Sequence, residues 1–266
     1  MMANKYGVKI WSRDAVKKAE FVKECAEYVR KGVFDYIELF ALAGSYDDTS
    51  SLLYKELNGL PVVIHAPHSG VGMDLGNKEM QAQNREMLED SLKFADLFRA
   101  EIIILHAGIG QGEKYLNESI RQFRLINDQR LAVENQPYEC CVTNRLLHGV
   151  SPDEIRLIQN ETGCKFCLDF YHAVCAANNL GFKVEDYWRC FNDMVPDMYH
   201  LCDGYMDGKE DVHLHYGEGK IDLTALLRDF VHPNSMLTME TGREVPQNAE
   251  PWVRDAEYIR GKEVEI

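Results

Sequence analysis

The chain has no apolar run of the roughly 18 residues that a membrane-spanning helix needs. Met1 to Lys9 carries no apolar stretch of the kind found in a secretory leader, so a cytoplasmic protein without a membrane partner is expected. No Pro/Gly/Ser-rich linker, low-complexity tract or short repeat divides the 266 residues, and a single domain spanning 1–266 is expected. A glycine-rich phosphate loop after the first apolar run is also missing, which argues against a doubly wound open sheet. Cysteine pairing is scarce. Of eight scattered cysteines, only Cys164 and Cys167 form a C-x-x-C, with no second pair to complete a zinc finger, so all are read as reduced and mostly buried. Positive charge is short too. Lys and Arg number 29 against 43 Asp and Glu, and the net charge of -14 repels free nucleic acid unless bound cations or a local patch reverse it.

What the chain does have is alternation. Eight short strand-like runs, several nearly all apolar, lie at Val8–Trp11, Tyr36–Phe40, Val62–Ala66, Glu101–His106, Leu131–Glu134, Phe166–Asp169, Met198–Cys202 and Met236–Glu240. Continuous apolar runs fit strands buried on both faces of a parallel sheet. Between them lie helical periodicities at Ala15–Arg30, Lys78–Phe98, Leu116–Asn127, Val184–Asp193, Leu223–Phe230 and Trp252–Ile259. Ser151 followed by Pro152 and Glu154 has the form of a helix N-cap with proline at the first helical position. Eight βα units in a chain of this length predict an α/β protein with a closed (β/α)8 barrel.

In such barrels chemistry sits where the strands end. The third strand runs into His65-Ala-Pro-His68 and the fourth ends on His106. The fifth ends on Glu134, the sixth on Asp169 with His172 close behind, and the seventh on His200 with Asp203, Asp211 and His213 following. The eighth ends on Glu240. Any one of these residues alone is more often a hydrogen-bonded rim or core residue. Together, the carboxylates Glu134, Asp169, Asp211 and Glu240 would repel one another at one mouth unless cations neutralise them. Mixed imidazole and carboxylate donors suit Zn2+ best, with Mn2+ or another divalent metal as the alternative.

These residues resemble the endonuclease IV family within the xylose isomerase-like TIM-barrel superfamily. Asp169-Phe-Tyr-His172-Ala, Asp211-Val-His213 followed by Gly217-Glu218-Gly219, and His200-Leu-Cys-Asp203 carry the likeness, which spans roughly His65 to Gly242. The resemblance implies a cluster of two or three zinc ions. One would be held by His65, His106 and Glu134, a second by Glu134, Asp169, His200 and Glu240, and a third by His172, Asp211 and His213. At the first position His68 competes with His65, because it keeps the family's distance to Gly76. The implied reaction is phosphoester hydrolysis by a metal-activated hydroxide, at abasic sites in DNA within the family. The resemblance also implies catalytic as well as ligating roles for Glu134 and Glu240, Glu240 by orienting the nucleophile.

The chain departs from the family at the DNA-reading loops. Ser69-Gly-Val-Gly-Met-Asp has no aromatic probe, and the segment Leu42 to Asp48 after the second strand is acidic. A small phosphoester therefore stands beside abasic-site DNA as substrate. A sugar or sugar-phosphate isomerase or epimerase is the other class, with one metal on Glu134, Asp169, His200 and Glu240. His68, Arg243 and Trp11 are candidate substrate contacts, and Tyr171 is placed at the mouth with core packing as its alternative. Monomer and homo-oligomer are both left open.

Overall fold

Eight parallel strands close into a barrel in the order of the chain. In the computed structural model, which describes residues 4–242 and 245–265, they run Lys5–Trp11, Tyr36–Phe40, Val62–His65, Ile103–His106, Leu131–Glu134, Lys165–Asp169, Met198–Leu201 and Met236–Met239. The first strand pairs with the eighth, Lys5 opposite Met236 and Val8 opposite Met239, and this closes the ring. Every expected strand is present, with bounds shifted by at most three residues. Side chains on both faces of these strands are buried, the inner face in the barrel core and the outer face under the helices.

The helical reading needs three corrections. The expected helix Ala15–Arg30 is broken at Lys18, whose φ of -146° and ψ of 49° are not helical, into Asp14–Lys17 and Ala19–Arg30. Asp14 spends its carboxylate on the Trp11 N–H at 2.9 Å and on Lys18 Nζ at 3.1 Å, which holds the first piece against the end of the first strand. The buried stripe of the second piece is Phe21, Val22, Cys25, Ala26 and Val29, and Ala19 at its start is exposed.

Two further helices were not anticipated. Tyr46–Leu57 lies where an acidic loop was read. Its Asp47 and Asp48 occupy the first turn, where carboxylates favour the positive end of the helix dipole, and Asp90 accepts from Ser45 N at 2.7 Å and Tyr46 N at 3.1 Å. Phe170–Leu180 starts directly after Asp169, and its first eight residues are all buried, so it has no polar face to reveal a helical period.

Ser151 caps the helix Pro152–Thr162 as expected. Its hydroxyl accepts from Glu154 N at 3.3 Å while Glu154 Oε2 accepts from Ser151 N at 3.2 Å. Ser151→Ala removes one of these two bonds and is expected to cost about 1 kcal/mol in urea denaturation, with no effect on metal content.

Asp203 and the Gly217-Glu218-Gly219 motif form a scaffold. The Asp203 carboxylate accepts from the N–H groups of Gly204 at 2.7 Å, Gly217 at 2.9 Å, Gly219 at 3.0 Å and Ile221 at 3.3 Å. A Cβ on Gly219 would lie 2.3 Å from Asp203 Oδ1, so the close backbone approach excludes a side chain there. A short ribbon pairs Gly108–Ile109 antiparallel with Leu147–His148. Among the described residues no helix is long and apolar enough to cross a membrane.

Candidate metal centre

Glu134 ends the fifth strand at the centre of the mouth and is fully buried. Its Oε2 lies 3.2 Å from His65 Nε2 and 3.1 Å from His106 Nε2. Its Oε1 lies 3.2 Å from His200 Nδ1 and 3.3 Å from His172 Nδ1. Glu240 follows the eighth strand and places Oε2 2.9 Å from His200 Nδ1. Asp169 caps the next helix by accepting from His172 N at 2.6 Å. His213 Nε2 meets Asp211 Oδ2 at 2.5 Å, with His172 Nε2 3.9 Å from the same oxygen. His213 has a left-handed φ of 48°, an uncommon backbone state for a non-glycine residue and one that clusters at functional sites.

The donor atoms fall into sets in which all lie within 4.8 Å of one another: His65, His106 and Glu134; Glu134, Asp169, His200 and Glu240; and His172, Asp211 and His213. Two further sets of that spacing, Glu38 with His65 and His200 and Glu134 with Cys167 and His200, share the same imidazoles.

The far sides of the rings show which nitrogens are donors. A carbonyl can only accept, so a ring nitrogen facing one carries its hydrogen. His65 Nδ1 donates to Ala66 O at 2.7 Å, His172 Nδ1 to Asn135 O at 2.9 Å and His213 Nδ1 to Glu240 O at 2.6 Å. His106 Nδ1 donates to Gln136 Oε1 at 3.1 Å, and the Gln136 amide is oriented by donating from Nε2 to His148 O at 2.8 Å. His200 Nε2 donates to Glu38 Oε2 at 2.9 Å. In their neutral forms His65, His106, His200 and His213 thus present the remaining nitrogen to the carboxylates as a lone pair, and His172 presents Nε2 to Asp211, the arrangement that orients metal-ligating histidines. His68 differs. Its Nδ1 accepts from Gly70 N at 3.0 Å and its ring stacks 4.9 Å from that of His106. His68 belongs to none of the donor sets.

Electrostatics within the cluster are strongly coupled. Burial alone would lift the Glu134 carboxyl, but His200 and His106 outweigh it and hold it well below its ordinary range. Burial likewise pushes the Asp211 carboxyl up, but His213 and His172 overcome it and hold that carboxyl well below its ordinary range. Burial disfavours a charged His213, yet Asp211 carries it up to about 9. His200 and His172 are raised against burial, His200 by Cys167, Glu38 and Glu134, and His172 by Asp169 and Asp211. Burial pushes Asp169 up to about 7, His172 opposing and Glu240 and Glu134 adding to it.

The Asp169 shift predicts a stability change of unusual sign. Between the ordinary carboxylate value near 4 and about 7, the folded chain holds a proton that the unfolded chain has lost. Stability of metal-free protein therefore falls as pH rises through that window. Asp169→Asn keeps an oxygen to cap His172 N and removes the charge. In EDTA it is expected to be more stable than the wild type at about pH 8, on the order of 2 kcal/mol in urea denaturation, with the gain gone at about pH 4.

Above the cluster opens a cavity of about 610 Å3 lined by Lys9, Trp11, Phe40, His68, Asp211, His213, Glu240 and Trp252, among others. Trp11 stands on its rim, 48% exposed, with its ring 5.0 Å from Phe40. Trp11 and His68 are thus placed where substrate contacts were expected, while Arg243 lies outside the described residues. Of the two places weighed for Tyr171 the core is the one it takes: it is buried and packs under Gly204 and Gly208. His215 sits behind the site, its Nδ1 2.6 Å from Asp255 Oδ2.

Sequence reading missed Lys9, Glu38 and Gln136. Lys9 and Glu38 are opposite each other on the first and second strands, with Lys9 Nζ 3.2 Å from Glu38 Oε1 and in contact with Glu240 Oε1. A signal existed, because each is a charge inside an otherwise apolar strand run, Val-Lys-Ile-Trp and Tyr-Ile-Glu-Leu-Phe.

The family model described as "Xylose isomerase-like TIM barrel" matches residues 25–262. The chain belongs to that family. The proteins it is similar to include both endonucleases and a sugar epimerase-like protein. Endonuclease 4 of Thermus thermophilus is 26% identical over 223 residues, 79% of either chain. The crystal structure of an endonuclease IV, also from Thermus thermophilus, superposes with a TM-score of 0.67 at 23% identity, over 98% of this chain and 100% of the other. A D-tagatose 3-epimerase-like protein superposes with a TM-score of 0.72 at 16% identity, over 98% of this chain and 97% of the other. At these identities the structural likeness shows the fold alone.

Proposed function

We propose that this barrel is a multinuclear, zinc-dependent phosphoester hydrolase that acts on a small phosphoester. The observation that carries the reading is the set His172, Asp211 and His213, which stands outside the four donors an epimerase of this superfamily requires. The residues fit a metal by their chemistry. The imidazoles are pinned from behind by oxygen acceptors, and Glu240 Oε2 is buried without a hydrogen bond although His200 Nδ1 is 2.9 Å away, as when two ligands face one point. His65, His106 and Glu134 would hold one ion, Glu134, Asp169, His200 and Glu240 a second, and His172, Asp211 and His213 a third. Bound divalent cations supply a nucleophilic oxygen at neutral pH and offset charge on a phosphoryl group.

The protein residues do the rest. Glu134 ties two donor sets together, Asn135 and Gln136 fix the rings of His172 and His106, and the Glu240 backbone fixes His213. Trp11 and Phe40 form an aromatic wall beside the cluster. A cavity of about 610 Å3 suits a small molecule. The net charge of -14 disfavours duplex DNA.

A second reading, a one-metal sugar or sugar-phosphate epimerase, is favoured by the self-contained set of Glu134, Asp169, His200 and Glu240. Metal counting by elemental analysis, with the same sample assayed on bis-p-nitrophenyl phosphate, abasic-site duplex and a ketose panel, separates them. More than one zinc per chain with release of nitrophenol and an intact duplex is expected. One metal per chain with ketose epimerisation would sink the hydrolase.

A further inference from the structure

Lys9 places a permanent cation within the barrel, against the same carboxylate that faces His200. Its Nζ contacts Glu240 Oε1 and lies 3.2 Å from Glu38 Oε1, while Glu240 Oε2 is 2.9 Å from His200 Nδ1. Glu38 is fully buried and is anchored by His200 Nε2 at 2.9 Å and Thr238 Oγ1 at 2.6 Å. Tyr36 in turn meets Thr238 Oγ1 at 2.9 Å, so the pair rests on a fixed polar network. By spacing alone Glu38, His65 and His200 could hold a metal ion. The cation found at Glu38 is instead an ammonium.

Like charges inside a low-dielectric barrel repel strongly. A divalent ion among Glu134, Asp169, His200 and Glu240 shares Glu240 with this ammonium, whereas neither the His65–His106–Glu134 set nor the His172–Asp211–His213 set contains a residue in ion-pair contact with it. Glu38 offsets part of that repulsion. We propose that Lys9 is a built-in competing cation that makes the Glu134–Asp169–His200–Glu240 position the weakest and most exchangeable metal site of the cluster, with Glu38 setting how strongly it competes. This rests on the metal reading above. Lys9 is then a positioning residue that tunes metal occupancy through Glu240.

The sign of the effect separates tuning from scaffolding. Removing a structural prop loosens every site. Removing a competing cation tightens one. The full-length chain is stripped, then titrated with Zn2+ against a chromophoric chelator. Lys9→Met is expected to tighten the weakest Zn2+ site by about tenfold or more, and Glu38→Gln to loosen it by a similar factor. Should Lys9→Met fail to fold, the comparison moves to the Glu38→Gln background, where Glu38 no longer carries a charge to be stranded and Glu240 still faces His200: Lys9→Met/Glu38→Gln is expected to bind that ion about tenfold more tightly than Glu38→Gln. Unchanged or weakened binding on removal of Lys9 overturns the proposal. A wild-type chain that takes up no Zn2+ in this titration overturns the metal reading itself.

Discussion

Glu134→Gln is expected to abolish two of the three donor sets at once. The carboxylate belongs to both the His65–His106 set and the Asp169–His200–Glu240 set, and its two oxygens reach four imidazoles at 3.1–3.3 Å. Glutamine retains one oxygen and puts an amide N–H₂ where the other stood. That group donates and cannot ligate, so it can satisfy the lone pair of a neutral ring but cannot hold a cation there. Elemental analysis should find at most one zinc per chain. Turnover on a phosphodiester should fall about a thousandfold, or about 4 kcal/mol of transition-state stabilisation. The metal-free fold should weaken as well, by about 3 kcal/mol, because His200 and His172 lose the charge that balances them in a fully buried site. Full zinc occupancy in Glu134→Gln would show that Glu134 is a structural carboxylate.

The barrel and the donors at its strand ends were legible in the sequence for one physical reason, while His172, Asp211 and His213, which lie beyond the strands, were assigned through the family resemblance. A strand buried on both faces is a conspicuous apolar run, and a charged or imidazole side chain at its end has to be accounted for. His106, Glu134, Asp169 and His200 announce themselves in this way. Other features were hidden by the same logic. The helix Phe170–Leu180 is buried on every side and so shows no period. The helix Tyr46–Leu57 buries only Thr49, Leu53 and Leu57, and its acidic first turn imitates a loop. Lys9 and Glu38 sit within strands instead of at their ends, and they neutralise each other across a pair of adjacent strands, a relation visible only once the register is known. His65 and His68 are three residues apart and chemically alike. The backbone N–H of Gly70, which engages His68 Nδ1, and Glu134, which faces His65 Nε2, tell them apart.

Asp211→Asn is the variant that divides the two enzymatic readings. In the hydrolase the substitution removes a ligand of the set formed with His172 and His213 and leaves Glu134, Asp169, His200 and Glu240 intact. One zinc equivalent should be lost, and phosphodiester turnover should fall by about a thousandfold. A one-metal epimerase would keep its metal and most of its activity. Stability supplies an independent check with the opposite sign to Asp169→Asn. The Asp211 carboxyl is held well below its ordinary range in spite of burial, by His213 and then His172. Above the ordinary carboxylate value the folded chain therefore gains from its charge, and that gain is lost only as pH falls through the lowered value. His213, carried to about 9 mainly by Asp211, falls back toward its ordinary value when that partner is neutral. Metal-free Asp211→Asn should thus be about 2 kcal/mol less stable than the wild type at about pH 7 in urea denaturation, where Asp169→Asn is as stable or more so. Two carboxylates in one cluster, one strained by its charge and one stabilised by it, would then respond to the same chemical change in opposite directions. If both variants instead lose stability alike, the cluster is a packed polar core and its carboxylates are not arranged around cations.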